Sequence, residues 1–133
     1  LVLNESEAAQ LTKEDNMVVA LRKIHKLGPK YVIIKMGSHG AMLSGPKGLF
    51  LAPAYPLSKV VDPTGAGDSF VGGMMGVLAT ARGGVEKNMR RAMVYGSVVA
   101  SLCCEGFGLK RTDSASLAEI DRRVPELEQM TRF

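Results

Sequence analysis

Val60-Val61-Asp62-Pro63-Thr64-Gly65-Ala66-Gly67-Asp68-Ser69-Phe70 decides how this chain is read. An apolar, β-branched run enters a glycine-rich turn, and an apolar run with helical spacing leaves it. The expected path is strand, turn, helix. A turn that opens directly into a helix leaves the first backbone N–H groups without intrahelical partners. Those groups, with the helix dipole, favour an anion at that end. Gly65 and Gly67 carry no Cβ, so a phosphate can approach the backbone closely. Asp68 then stands at the start of the helix, beside the anion. A carboxylate there repels phosphate and has no use in a site that only binds anions. It has a use if it takes a proton from a hydroxyl that attacks the phosphate.

Rival motifs fit less well. A Walker A loop requires a lysine after its last glycine, and none follows here. The dinucleotide fingerprint requires a glycine where this chain has Phe70. The bland alternative is a helix cap by Thr64 or Asp68 with no chemistry. Asp62 to Phe70, followed by Gly72-Gly73, resembles the second signature of the ribokinase-like (pfkB-type) sugar and nucleoside kinases.

That resemblance implies an α/β fold: a Rossmann-like three-layer α/β/α core with a mixed, mainly parallel sheet. It covers nearly all of residues 1–133, as the C-terminal nucleotide-binding and catalytic part of a kinase domain. The acceptor-binding part and the β lid would precede it. The implied reaction moves the γ-phosphate of ATP to a primary alcohol of a sugar or nucleoside. Asp68 would be the general base, and the backbone of Gly65, Ala66, Gly67 and Asp68 would form the anion hole. Mg²⁺ would neutralise the phosphates. Asp62 and Thr64 match positions that hold K⁺ in members that use it, although Pro63 keeps Asp62 extended and the three residues can equally be a turn device. The vitamin-type (pyridoxal or hydroxymethylpyrimidine) kinase branch often has a cysteine in this turn and ranks lower. A non-catalytic nucleotide-binding module is the other alternative, against which Asp68 argues. The acceptor is left open, as is a homodimer through the lid.

Composition agrees. The 133 residues are 46% hydrophobic, with a formal net charge of +4 spread rather than blocked. No basic stripe interleaved with aromatics suggests nucleic acid. No run approaches the ~20 apolar residues of a membrane span. Cys103 and Cys104 are adjacent and lack metal-ligand spacing. They read as small buried hydrophobes in a reducing, cytoplasmic setting. Leu1-Val2-Leu3 reads as the end of a strand in a chain cut from something longer.

Asn4 can cap a helix, with Glu7 at capping-box distance. The resemblance adds a second role. Asn4 and Glu7 match an N-x-x-E motif near the metal and triphosphate, with Glu7 reaching Mg²⁺ through water. A helix is expected at roughly 15–27, carried by Met17, Val18, Leu21 and Ile24 and ended by Gly28-Pro29. His25 falls in its basic last turn. Tyr31 to Ile34 reads as a strand buried on both faces. Lys35, Gly37 and Gly40 then form a turn that in the family contacts the nucleotide; Lys35 replaces a common threonine, and phosphate contact and solvation both stay open for it. His39 is expected at the turn surface.

A hairpin is expected around Ser44 to Gly48, with further strands at Leu49-Phe50-Leu51 and Lys59-Val60-Val61. Helices are expected at roughly 67–82 and 85–105. Gly72, Gly73 and Gly76 in the first suggest close helix contacts. Gly106, in the turn after the second, flanks the adenine and cation loop in the family, but the usual Gly-Ala pair of the ribokinase branch is not evident. A helix starting at Thr112-Asp113-Ser114, with Leu117 and Ile120 inward, and a last short helix from Val124-Pro125 complete the reading.

Overall fold

The structure, a computed structural model, describes residues 1–132; Phe133, the last residue of the expected domain, lies outside them. The described residues divide into two compact units, Leu1–Ala52 and the residues from Pro53 onward.

The first unit is a four-stranded sheet with two helices. Strand β1 (Val2–Asn4) runs into α1 (Glu5–Thr12), then α2 (Met17–Lys26) and β2 (Val32–Lys35). A short 3₁₀ turn, Gly37–His39, leads to β3 (Ala41–Gly45) and β4 (Gly48–Ala52). The strand order is β1-β2-β3-β4. The expected mixed sheet is present, but in this chain it is not mainly parallel. Only β1 and β2 pair parallel; β2–β3 and β3–β4 are antiparallel. Connection length is the reason. A parallel pairing needs a crossover of a dozen or more residues, and only the α1–α2 segment supplies one. Gly45 pairs with Gly48 across Pro46-Lys47, a tight hairpin.

Val32, Ile33 and Ile34 are all buried, as a two-sided strand requires. Ile34, Val32, Leu21, Ile24 and Ala8 form one core cluster, with Leu3, Met17, Met36 and Met42 against it. Asn16 caps α2 through bonds from Val18 and Val19. Val18 is exposed, and Ala20 takes the inward position instead. His25 closes the far end of the helix: Nδ1 lies 2.9 Å from the Pro29 carbonyl and Nε2 2.8 Å from the Ser44 hydroxyl. It ties helix to sheet, a structural role.

The second unit is helical: α3 (Ala66–Thr80), α4 (Gly84–Cys104), α5 (Lys110–Ser114) and α6 (Leu117–Met130). The strand expected at Lys59-Val60-Val61 is absent. A strand needs a partner ladder, and the described residues of this unit contain no other strand. Val61 and Asp62 instead donate to the Cys104 carbonyl, at 2.8 and 3.3 Å. Helices α3 and α4 cross where a Cβ on Gly73 would lie 2.8 Å from Val99 Cγ2, and one on Gly96 would lie 2.7 Å from the Phe70 carbonyl oxygen. The close approach expected of the α3 glycines is therefore made by Gly73 alone. Nothing lies within 4 Å of a Cβ on Gly72 or Gly76.

The C-terminal helices differ from expectation. Thr112 to Ser114 end α5, and Ser116 caps α6 by accepting from the Glu119 N–H. Leu117 is 80% exposed. Pro125 lies inside α6 rather than starting a new helix. Tertiary bonds on both sides of it offset the missing backbone donor. Val124 and Leu127 pack on Val98, with Tyr55, Val94, Tyr95 and Ile120 around them. Arg123 is buried in the same face, at 6% exposure. Its Nη2 lies 2.8 and 2.9 Å from the two Glu105 oxygens and 3.2 Å from Glu119 Oε1, and its Nη1 donates to Ser101 Oγ at 3.0 Å. Its guanidinium carbon is 4.9 Å from the Tyr55 ring centre, and the Tyr55 hydroxyl donates to Glu126. Arg111 bonds Glu119 and lies 3.3 Å from Glu105.

Two predictions follow from these contacts. Gly96→Ala should destabilise by about 1–3 kcal/mol through overpacking, whereas Gly72→Ala, in the open, should stabilise by about 0.5–1 kcal/mol. Denaturant unfolding of both variants tests this; equal effects would remove the close crossing. The hydrogen bond from Arg111, with the charges of Arg111 and Arg123, holds the Glu119 carboxyl below its usual range. A depressed folded pKa contributes stability above the unfolded value of about 4.3, which is lost as pH falls through the lower folded one. Melting temperature should drop on acidification below that value, and Glu119→Gln should be less stable at neutral pH and show a flatter acid dependence.

Candidate nucleotide-binding site

The expected site residues fall into two groups, one in each unit. In the first unit, Asn4 ends β1 and is the register partner of Lys35, which ends the parallel strand β2. Ligands of α/β proteins sit beyond the carboxyl ends of parallel strands. The capping box is fully formed. Asn4 Oδ1 accepts from the Glu7 N–H at 2.8 Å, and Glu7 Oε2 accepts from the Asn4 N–H at 2.7 Å. This fixes the Glu7 carboxylate at the helix start with its other oxygen outside the box. After Lys35 the chain turns through Gly37 (φ 56°) to Gly40 (φ 92°). The turn is closed by a bond from the Met36 N–H to the Gly40 carbonyl at 2.8 Å. Both glycines occupy conformations that residues with a Cβ rarely adopt. A Cβ on Gly37 would meet nothing within 4 Å, so the turn is open on that side. His39 is exposed, as expected.

In the second unit the glycine-rich turn opens into α3. Gly65 is the N-cap at φ 83°, and no side chain caps the helix. The cap by Thr64 or Asp68 that would have made the stretch purely structural is therefore not made. The Ala66 N–H bonds the Pro63 carbonyl at 3.1 Å. The Gly67 and Asp68 amides follow in the first turn, where a helix leaves its donors without intrahelical partners. The Asp68 side chain is exposed beside them.

The turn itself is held from two sides. Asp62 Oδ1 accepts from the Thr64 N–H at 2.9 Å. Bonds from the Thr64 backbone and hydroxyl, and from the Gly108 backbone, hold the Asp62 carboxyl below its usual range. Behind it lies the end of α4: Cys103 Sγ donates to the Thr64 carbonyl at 3.4 Å and would sit 3.7 Å from a Cβ on Gly65. Gly106 passes so close to Arg111 that a Cβ would lie 2.6 Å from the Arg111 Cβ. Among the described residues no three His, Cys, Asp or Glu side chains converge as a metal cluster.

Sequence reasoning missed the residues behind the turn. Cys103 is buried as expected, but Cys104 is only half-buried and acts through its carbonyl. Burial pushes its thiol pKa up. Arg123 left a readable trace: it falls three residues after Ile120 and four before Leu127, on the stripe that should be apolar.

Comparison with known proteins agrees with this geometry. Residues 1–115 match the pfkB family of carbohydrate kinases. The chain is 35% identical over 134 aligned positions to the bifunctional ribokinase/ribose-5-phosphate isomerase A of Fructilactobacillus sanfranciscensis, covering 97% of this chain and 24% of that protein. It thus spans about a quarter of that relative, and 27% of a ribokinase from Arabidopsis thaliana that it matches at 34% identity over 77% of its own length. The structure of aminoimidazole riboside kinase from Salmonella enterica, complexed with aminoimidazole riboside and an ATP analogue, superposes with a TM-score of 0.81 at 27% identity, over 92% of this chain and 41% of that one. With the mixed sheet and the uncapped glycine-rich turn, these matches show that the fold is ribokinase-like and that the chain belongs to the pfkB family of carbohydrate kinases.

Proposed function

We propose that this chain forms the nucleotide-side part of a kinase that transfers the γ-phosphate of ATP to a primary alcohol of a sugar or nucleoside. One observation carries the proposal: an uncapped helix N-terminus entered through a left-handed glycine, with an exposed aspartate three residues after it. The amides of Gly67 and Asp68 stabilise negative charge on the phosphoryl group as it transfers, while the Ala66 N–H is taken by the Pro63 carbonyl and Gly65 shapes the entry to the helix. Asp68 takes the proton from the acceptor hydroxyl. The alcohol oxygen then bonds to the γ-phosphorus, the bond to the bridging oxygen breaks, and ADP leaves with that electron pair. The kinase known with an ATP analogue supports ATP as donor.

In this reading Asn4, Glu7, Lys35, Gly37 and Gly40 of the first unit serve the nucleotide, and Gly106 of the second belongs to the adenine and cation loop that the family resemblance implies. Mg²⁺, when bound, neutralises the phosphate charge. Its fit rests on Glu7, whose carboxylate is fixed yet keeps one oxygen outside the capping box. A metal that arrives with a triphosphate keeps most of its water and needs only such a carboxylate. Asp62 and Thr64 are bonded to each other in the turn, which supports the turn-device reading of this pair over K⁺ binding.

Two measurements test the proposal. Asp68→Asn in the whole protein should lower kcat by roughly 10²–10⁴, the scale of a lost general base, with nucleotide affinity little changed. A kcat near wild type would remove Asp68 from that role. Titration of the chain with a non-hydrolysable ATP analogue and Mg²⁺ should give binding that Gly67→Val weakens by at least about tenfold, because a branched side chain blocks approach to the backbone amides. Equal affinity in the two proteins would place the phosphates elsewhere.

A further inference from the structure

We infer that Arg123, acting through Glu105, is a positioning residue for the Gly65–Asp68 turn. The inference rests on the reading of that turn as the phosphate site. Among the described residues no hydrogen bond or ion pair joins a side chain of the turn to α6, and the link runs through α4.

Glu105 is the C-cap of α4. Its two oxygens receive Arg123 at 2.8 and 2.9 Å, and Arg111 approaches Oε2 at 3.3 Å. Two guanidinium groups therefore fix one carboxylate, and with it the last turn of the helix. From that point the backbone reaches the phosphate turn in both directions. Before Glu105, the Cys104 carbonyl accepts from Val61 and Asp62, and the Cys103 thiol donates to the Thr64 carbonyl. After it, the Gly108 backbone comes near enough to Asp62 to help hold its carboxyl below the usual range. Residues 61, 62 and 64 are thus gripped by atoms within three positions of Glu105. Gly65 and its left-handed φ follow directly.

The arginine is specified for this position and not merely tolerated. It is buried, it spends Nη1 on Ser101 and Nη2 on Glu105 and Glu119, and its Nε has no hydrogen-bond partner. A buried cation with an unmatched donor is costly, and an apolar residue would fill the face between Ile120 and Leu127 without that cost. What an apolar residue cannot do is hold Glu105. Nη2 reaches both carboxylate oxygens, a charge-assisted contact that fixes where the carboxylate lies.

The test is amide hydrogen exchange on the full chain, comparing wild type with Glu105→Gln. Glutamine keeps an acceptor for Arg123 but loses the charge that binds both arginines. Exchange at Val61 and Asp62 should quicken by roughly ten- to hundredfold, the range that loss of one charge-assisted hydrogen bond allows. Phe70 and Met74, in the body of α3, should keep wild-type protection. Arg111→Gln, which leaves the buried pair in place, should give a smaller change at the same two amides. Arg122→Gln, one residue away but in contact with Glu126 and not Glu105, should give none. Affinity for the ATP analogue should fall in the same order. Unchanged exchange at Val61 and Asp62 in Glu105→Gln would overturn the inference. So would equal acceleration throughout α3 and α4, which would mark a purely structural role. If wild type binds no ATP analogue, the phosphate reading falls, while the exchange pattern still decides whether Arg123 and Glu105 position the turn.

Discussion

The Cys104 carbonyl accepts two backbone N–H groups, from Val61 and Asp62, and the course of the glycine-rich turn depends on that junction. A helix ends with carbonyls that lack intrahelical partners. A segment that ends without a ladder has the complementary surplus of N–H groups. Joining one to the other satisfies both and brings the end of α4 against the start of α3. The two helices then pack against each other across Gly73 and Gly96, where the missing Cβ atoms make room for Val99 and Phe70. The geometry of the turn follows from this packing. Gly65 is left-handed because the chain must leave the α4 junction and enter α3 within a few residues.

Much of this was legible in the sequence. The order Asp62 to Asp68, with two glycines and an acid after them, specified an open helix start with a carboxylate beside it. The capping box of Asn4 and Glu7, the buried strand at Val32 to Ile34 and the hairpin across Pro46-Lys47 were equally local, and all are present. What failed was whatever depended on a partner distant in sequence. Val60 and Val61 have strand chemistry, but a strand is made by its neighbour, and the Val61 N–H went to a helix end. Pro125 reads as a helix start because proline favours the first turn. It lies inside α6 because Ser116 had already capped the helix and Val124 and Leu127 bury a continuous face around it. The expected mixed sheet is present, and only its parallel share is smaller than expected, for a simpler reason. Connection length governs direction, and two of the three links here are too short to cross over.

The acid at the helix start is where local rules and the proposed site diverge. Asp68 in the first turn of α3 is favourable to the helix dipole, by about 0.3–1 kcal/mol for an exposed carboxylate. Fold stability alone would therefore accept it. The same charge opposes a phosphate at the same amides. A residue that helps the empty protein and hinders ground-state binding has to gain its advantage during the reaction. In the proposed reaction it does so as it accepts a proton and its repulsion vanishes while charge builds on the phosphoryl oxygens. The carboxylate must therefore stay exposed, without a capping bond of its own, and no side chain caps this helix.

The opposite arrangement holds behind the turn, at the C-terminal end of α4. There the charges are withdrawn from water and tied to each other: Arg123, Arg111, Glu105 and Glu119 share one partly buried cluster. Such clusters are weak sources of stability, since desolvation offsets most of the attraction. Their contribution is directional, because each charge-assisted hydrogen bond restricts where the carboxylate it meets can lie. The α4 helix carries that orientation to Cys103 and Cys104. Hydrophobic contacts such as Val98 with Val124 and Leu127 hold the helices together, but apolar surfaces can slide over one another at small cost. An anion hole cannot tolerate that freedom, because its donors must lie within tenths of an ångström of where charge develops. The buried arginine, costly to the fold, supplies the directional constraint that this unit's apolar contacts lack.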